Sequence, residues 1–195
     1  MEKVIDLVPF EHGEIYKIEQ LSNKKVLRKY LKKEEILRLL DLVPPGKEKA
    51  MLITMWYTGI RVSEVINIKK RDIDFQNRTI TIKWLKSRRY EERVIPFHTD
   101  LKGILELYAA TLNLDDLLFP YNRQYVHRLS KKHLHTHPHT IRHSFAVNFL
   151  QQSKNPSAIV ILKHLMGHKS INTTMEYLKI VPSDLAKELQ EIRFT

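Results

Sequence analysis

The sequence predicts a mainly α protein with a small three-stranded antiparallel β-sheet, an α+β chain. Three observations carry this. Most apolar residues recur at helical spacing. One stretch, 71–97, switches to alternating, β-branched residues. Pro44-Pro45-Gly46, Gly59 and Gly167 punctuate the periodic segments. A chain of 195 residues can bury a core without covalent staples, and it has no cysteine to make them.

Taken in order, residues 1–24 are mildly acidic, contain Pro9 and Gly13, and read as an arm or linker with a short strand at 15–18. Ile36, Leu39, Leu40 and Val43 predict a helix over 32–43, stopped by the Pro-Pro-Gly that follows. Ala50, Met51, Thr54 and Met55 share one side of a second helix, 47–57, broken by Gly59; a short third helix spans 61–67. Alternation at 79–82 and 93–95 predicts a hairpin around a basic loop, 83–89, with Asp72-Ile73-Asp74 as a third strand. Helices resume at 101–111 and 122–132. A histidine-rich loop, 133–139, leads into a helix whose stripe is Ile141, Phe145 and Phe149, flanked by Ala146 and Leu150. Asn155-Pro156 reads as an N-cap and first-turn proline for a helix over 157–166, with Gly167 as its C-cap. Ser170 caps a short helix reaching Tyr177. Pro182-Ser183-Asp184 opens a last amphipathic helix with Leu185, Leu189 and Ile192.

Composition narrows the function. No apolar run approaches the roughly 18 residues of a membrane span, and the N-terminus lacks a signal-peptide pattern, so the expected compartment is the cytoplasm. The formal net charge is +11. Lys3 and Lys17 against Glu2, Asp6, Glu11, Glu14 and Glu19 make the first twenty residues −3, which leaves +14 on the remaining 175. Such a surface suits a polyanion. No long basic amphipathic helix points to a membrane, so nucleic acid is the expected partner.

Four features could carry chemistry. Arg61, just past Gly59 at the head of a helix, sits where anions bind, with Glu64 three residues on to fix its guanidinium; taken alone, the pair reads first as a surface salt bridge and only second as a phosphate clamp. His139 and Arg142 share a helix face, as a proton carrier beside an anion clamp or as a capping histidine beside a surface arginine. Tyr177 follows Gly167-His168 by nine residues and is core filler or, among cations, a nucleophile. The basic segment 83–89 is a solvated turn or a groove-entering loop that offers a lysine. Together, two arginines, histidines, a lysine and a tyrosine are the parts for phosphoryl transfer without a metal. His133, His135, His137 and His139 could gather alternate imidazoles, but zinc needs three or four converging ligands and no carboxylate lies there, so no metal is expected.

The ordered set resembles the tyrosine recombinases, or phage integrases. Thr58–Glu64 with Asp72-Ile73-Asp74 matches the segment around the first arginine. His139-Thr140-Ile141-Arg142-His143-Ser144-Phe145-Ala146 matches the HxxRH box, and Leu165-Met166-Gly167-His168 through Thr173-Thr174 to Tyr177 matches the box that ends in the nucleophile. The resemblance covers residues 28–190. It implies a DNA recombinase or integrase that works through a 3′-phosphotyrosyl intermediate. Tyr177 attacks, Arg61 and Arg142 hold the non-bridging oxygens, and Lys86, with Lys83 in reserve, protonates the leaving 5′-oxygen. His139 is an acid/base near the tyrosine, and His168 orients the phosphate or the tyrosine. Lys83, Arg88, Arg89, Lys131, Lys132, His143 and Lys169 are expected to contact DNA. The implied partner is double-stranded DNA, with self-association as a synaptic tetramer, no membrane and no cofactor.

Two departures from the family pattern stand out. The hairpin loop is longer before Arg93-Val94-Ile95-Pro96, and only a short arm precedes the catalytic domain, expected over 25–195. The N-terminal helical core-binding domain usual in the family is then missing, which suits an excised domain or a naturally short protein. Two other activities fit the same residues: a type IB topoisomerase-like nicking-closing enzyme, and a non-catalytic DNA-binding competitor of a full-length recombinase.

Overall fold

The computed structural model describes residues 30–86 and 89–179, excluding the side chains of residues 84–90. The expected strand at 15–18 and the helix opening at Pro182 lie outside the described residues. Helix α1 (Lys33–Asp41) places Glu34 and Glu35 in its first turn and buries Ile36 and Leu40. It ends short of Val43, since Pro44 disfavours helical backbone in the residue before it. Helix α2 (Lys47–Thr58) is buried around most of its circumference, Leu52 and Trp56 included, rather than on one side. The hydroxyls of Thr54 and Thr58 are satisfied by donating to the carbonyls of Ala50 and Thr54. Helix α3 (Val62–Val65) has only four residues.

Strands β1 (Ile73–Asp74), β2 (Thr79–Lys86) and β3 (Arg89–Pro96) form an antiparallel sheet in that order. Ile80 lies opposite Ile95, Ile82 opposite Arg93 and Lys86 opposite Arg89. The expected basic loop over 83–89 is therefore mostly strand. The ladder pairs Lys83 with Glu92, Trp84 with Glu91 and Leu85 with Tyr90; aromatic residues favour extended pairing, and the density of basic residues hid it.

Helices α4 (Thr99–Ala109), α5 (Arg123–Leu134) and α6 (Pro138–Gln152) follow, then α7 (Ala158–Met166), α8 (Ile171–Met175) and a 3₁₀ turn, Glu176–Lys179, that carries Tyr177. Helix α5 is capped by Asn122 and runs on to Leu134, so only residues 135–137 remain as the histidine-rich loop, with His135 in the left-handed region. Helix α7 begins later than expected: its cap position is Ser157, and the Asn155 side chain instead accepts the Ser157 N–H in the turn before it.

The main core joins α1, α2, the sheet, α4 and α5, and a smaller one gathers Ala146, Val147, Leu162, Met166 and Tyr177. Helix α6 lies between the two. It has no single apolar stripe: Ile141, Ala146 and Val147 are buried together with Thr140, Arg142, Ser144 and Asn148, while Phe145 and Phe149 are only partly covered. Ser144 accepts the Leu31 N–H and Asn148 donates to the Leu31 carbonyl, which ties the entering chain to α6. Among the described residues no helix is long and apolar enough to cross a membrane.

Candidate active site

Two helices end at the site on left-handed glycines, α2 at Gly59 (φ 64°) and α7 at Gly167 (φ 61°). Both positions leave no room for a side chain. A Cβ on Gly59 would meet the Phe145 ring at 2.2 Å, and one on Gly167 the Arg93 guanidinium at 2.8 Å. The buried Arg142 of α6 spans the two ends. Its guanidinium donates to Gly59 O at 2.7 Å and to Met166 O at 2.5 Å. The negative ends of two helices thus receive a cation, which is how a buried arginine is tolerated there. Burial, with the charge of Arg61 second, pulls the Arg142 guanidinium down to about 9, so it stays charged at neutral pH.

Glu64 organises the other two arginines. Its carboxylate accepts the Arg61 backbone N–H at 2.8 Å and the Arg61 guanidinium at 3.0 Å. It also takes a two-pronged contact from Arg93, at 2.9 Å to each oxygen. Burial alone would raise this carboxyl, but the hydrogen bonds and charge of Arg93, then Arg61, outweigh it and hold the group below its usual range. Arg93 donates further to Leu165 O at 3.3 Å, so β3, α3 and α7 meet on one ion-pair network. Arg93 is not among the site residues that motif spacing picks out. The signal was strand parity: Arg93 shares the inward face of β3 with the buried Ile95.

His168 follows Gly167. Its Nε2 lies 3.2 Å from the Arg142 guanidinium and its Nδ1 2.9 Å from Thr174 Oγ1. Arginine only donates, so Nε2 accepts and the proton sits on Nδ1. Burial, then the charges of Arg142, Arg61 and Arg93, pull His168 down to about 4, and the ring is neutral at pH 7. Tyr177 is buried, and its ring stacks on that of His168 at 6.4 Å. Its hydroxyl lies 2.8 Å from His143 Nδ1. Burial raises the phenol above its ordinary value, while Arg142 and Arg61 pull against that rise.

The structure thus brings Arg61, Arg142, His168 and Tyr177 together from four separate segments. His143, expected to contact DNA, meets the tyrosine. His139, one helical turn earlier, stacks on His137 at 5.2 Å, and His137 in turn meets His127 edge-on at 4.3 Å. Among the described residues no three His, Asp or Glu side chains are grouped to hold a metal ion. Lys83 is ion-paired at 2.7 Å with the buried Asp72. Lys86 ends β2, and its side chain, like that of Arg89 and the whole of Arg88, lies outside the described part. Lys131 and Lys132 are exposed on the last turn of α5, and Lys169 is exposed after His168.

A buried tyrosine hydroxyl beside an imidazole, flanked by two guanidiniums and a neutral histidine, can present a nucleophile to a diester and hold the charge that develops on phosphorus. The matching family model is that of the phage integrase family, over residues 29–183, and the chain belongs to this family. It is 31% identical over 186 residues to the tyrosine recombinase XerA of Thermococcus onnurineus, covering 87% of this chain and 64% of the relative. The chain thus spans less than two thirds of that relative's length. Its fold matches the catalytic domain of bacteriophage HP1 integrase (TM-score 0.63, 22% identity, 83% of this chain and 94% of that one). It also matches a XerH site-specific recombinase bound to palindromic difH substrate in a post-cleavage complex (TM-score 0.66, 21% identity, 83% and 52%).

Proposed function

We propose that this domain cleaves and rejoins strands of duplex DNA as a site-specific recombinase or integrase acting in the cytoplasm. One observation carries the reading: Arg61, Arg142 and His168 converge on the single tyrosine Tyr177. That the XerH neighbour is bound to a DNA substrate supports DNA as the partner. The Tyr177 oxygen attacks the scissile phosphorus, the bond to the 5′-oxygen breaks, and a 3′-phosphotyrosyl link remains. Arg61 and Arg142 hold the non-bridging oxygens through the step. Lys86, at the end of β2, supplies the proton to the leaving 5′-oxygen. His168, neutral and held by Arg142 and Thr174, keeps the tyrosine ring in place. A free 5′-hydroxyl then reverses the attack. Exchange needs a second cleaved strand, which calls for self-association on DNA; Lys131, Lys132 and Lys169 are the exposed cations suited to its phosphates.

The test is covalent capture. Wild-type protein is incubated with a randomised duplex pool, and adducts stable to SDS are collected. Tyr177→Phe removes one hydroxyl, so it should retain DNA binding and yield no adduct. An adduct that persists in the Phe variant would place the nucleophile on another residue.

A further inference from the structure

We infer that His143 is the general base that takes the proton from Tyr177 during cleavage and returns it during rejoining. This rests on the reading of Tyr177 as nucleophile. The observation behind it is local: His143 Nδ1 lies 2.8 Å from the Tyr177 hydroxyl, within the reach expected of a base in the resting site. The rings are tilted by 52° with centroids 5.6 Å apart, so the pair meets through its heteroatoms rather than by stacking.

The surroundings show why a base is needed. Tyr177 is buried, and that burial works against ionisation of the phenol at neutral pH despite the nearby arginines. His168 cannot serve, because Arg142 donates to its Nε2 while its Nδ1 proton goes to Thr174. Tyr177 is carried by the 3₁₀ turn and His143 by α6, which buries Ile141, Arg142, Ser144, Ala146 and Val147 around it.

The step balances simply. The Tyr177 O–H bond breaks and its proton passes to Nδ1 of a neutral His143. The tyrosine oxygen bonds to phosphorus, and the 5′-oxygen departs with a proton from the acid. In rejoining, the imidazolium of His143 gives the proton back to the departing phenol. Among the described residues, Arg142 on α6 and Arg61 ahead of α3 act on the Tyr177 phenol, His168 after α7 stacks on its ring, and His139 lies one helical turn before His143 on α6. Glu176 and Lys179 lie on the 3₁₀ turn, paired with each other.

The experiment uses the full chain and a duplex captured from the random pool by wild type. Single-turnover adduct formation is followed from pH 5 to 9 for wild type and His143→Gln, each with tyrosine or a more acidic fluorotyrosine at 177. His143→Gln should slow adduct formation at neutral pH by about a hundredfold, the scale of a lost general base. It should also lose the plateau at neutral pH, so that its rate keeps climbing to pH 9 as the phenol ionises unaided. Fluorotyrosine, already partly ionised, should recover at least about tenfold in the variant and little in wild type, as expected when base and phenol acidity substitute for one another. An equal deficit with both phenols, or a near-wild-type rate for His143→Gln, would overturn the assignment while leaving Tyr177 as nucleophile. Failure of wild type to capture any duplex would sink both.

Discussion

Arg61 and Arg142 bring the same charge to one site from opposite environments. The Arg61 side chain is 37% exposed, whereas Arg142 is 5% exposed and holds two helix ends. Alanine at either position should slow cleavage by about a hundredfold or more, as when one preorganised donor is lost. Stability should separate them. Arg142→Ala strands the carbonyls of Gly59 and Met166 and should cost roughly 2–5 kcal/mol, while Arg61→Ala should cost about 1 kcal/mol or less. Thermal or urea melts measure this, and equal losses would refute the structural half of the account. Lysine should rescue Arg142 poorly, because a point charge cannot reach both carbonyls and His168 at once. His168 adds a pH dependence. Its folded value, about 4, lies below the unfolded 6.5. Between those values the unfolded chain takes up a proton that the folded site refuses, so stability falls as pH drops through this window and is complete above it. His168→Gln should flatten that part of the stability profile.

At the scale of elements, the Glu64–Arg93 pair decides how α3, β3 and α7 sit against one another. Arg93→Ala leaves a buried carboxylate with Arg61 alone, and breaking a buried pair in this way costs about 3–5 kcal/mol. Replacing both residues by leucine should recover part of that stability in a melt but not the cleavage rate, since Arg61 has then lost its anchor. Gly167→Ala combines a left-handed backbone with a Cβ pressed on Arg93. It should destabilise by roughly 2–4 kcal/mol and disturb the same network. Helix ends at glycine were readable because Gly59 and Gly167 are the residues that left-handed caps favour. The extent of β2 and β3 was not readable, because a run of Lys and Arg looks like a turn until its cross-strand partners are known.

For the whole molecule, a net charge of +11 gives the proposed DNA binding a dependence dominated by phosphates. Affinity for a mixed-sequence duplex should fall roughly a hundredfold or more between 50 and 200 mM salt, as neutralising about four phosphates requires. Lys131→Glu with Lys132→Glu should weaken binding and flatten the salt slope. Salt-insensitive binding in a filter or anisotropy assay would count against α5 as a phosphate-facing element.

Local periodicity and short-range spacing in the chain encode the helical majority, the three-stranded sheet, the glycine-capped ends and the order of Arg61, Arg142, His168 and Tyr177. Spacing also suggested the Arg61–Glu64 contact, which lies within one turn. Which imidazole reaches the tyrosine was decided by tertiary structure alone. His139 and His143 are both histidines on α6, and only the packing of the 3₁₀ turn against that helix selects His143. The same holds for Arg93, an unremarked residue in a strand until the fold brings the buried Glu64 to it across 29 positions of sequence. Contacts between distant segments depend on how whole elements pack, and no local pattern in the chain records that.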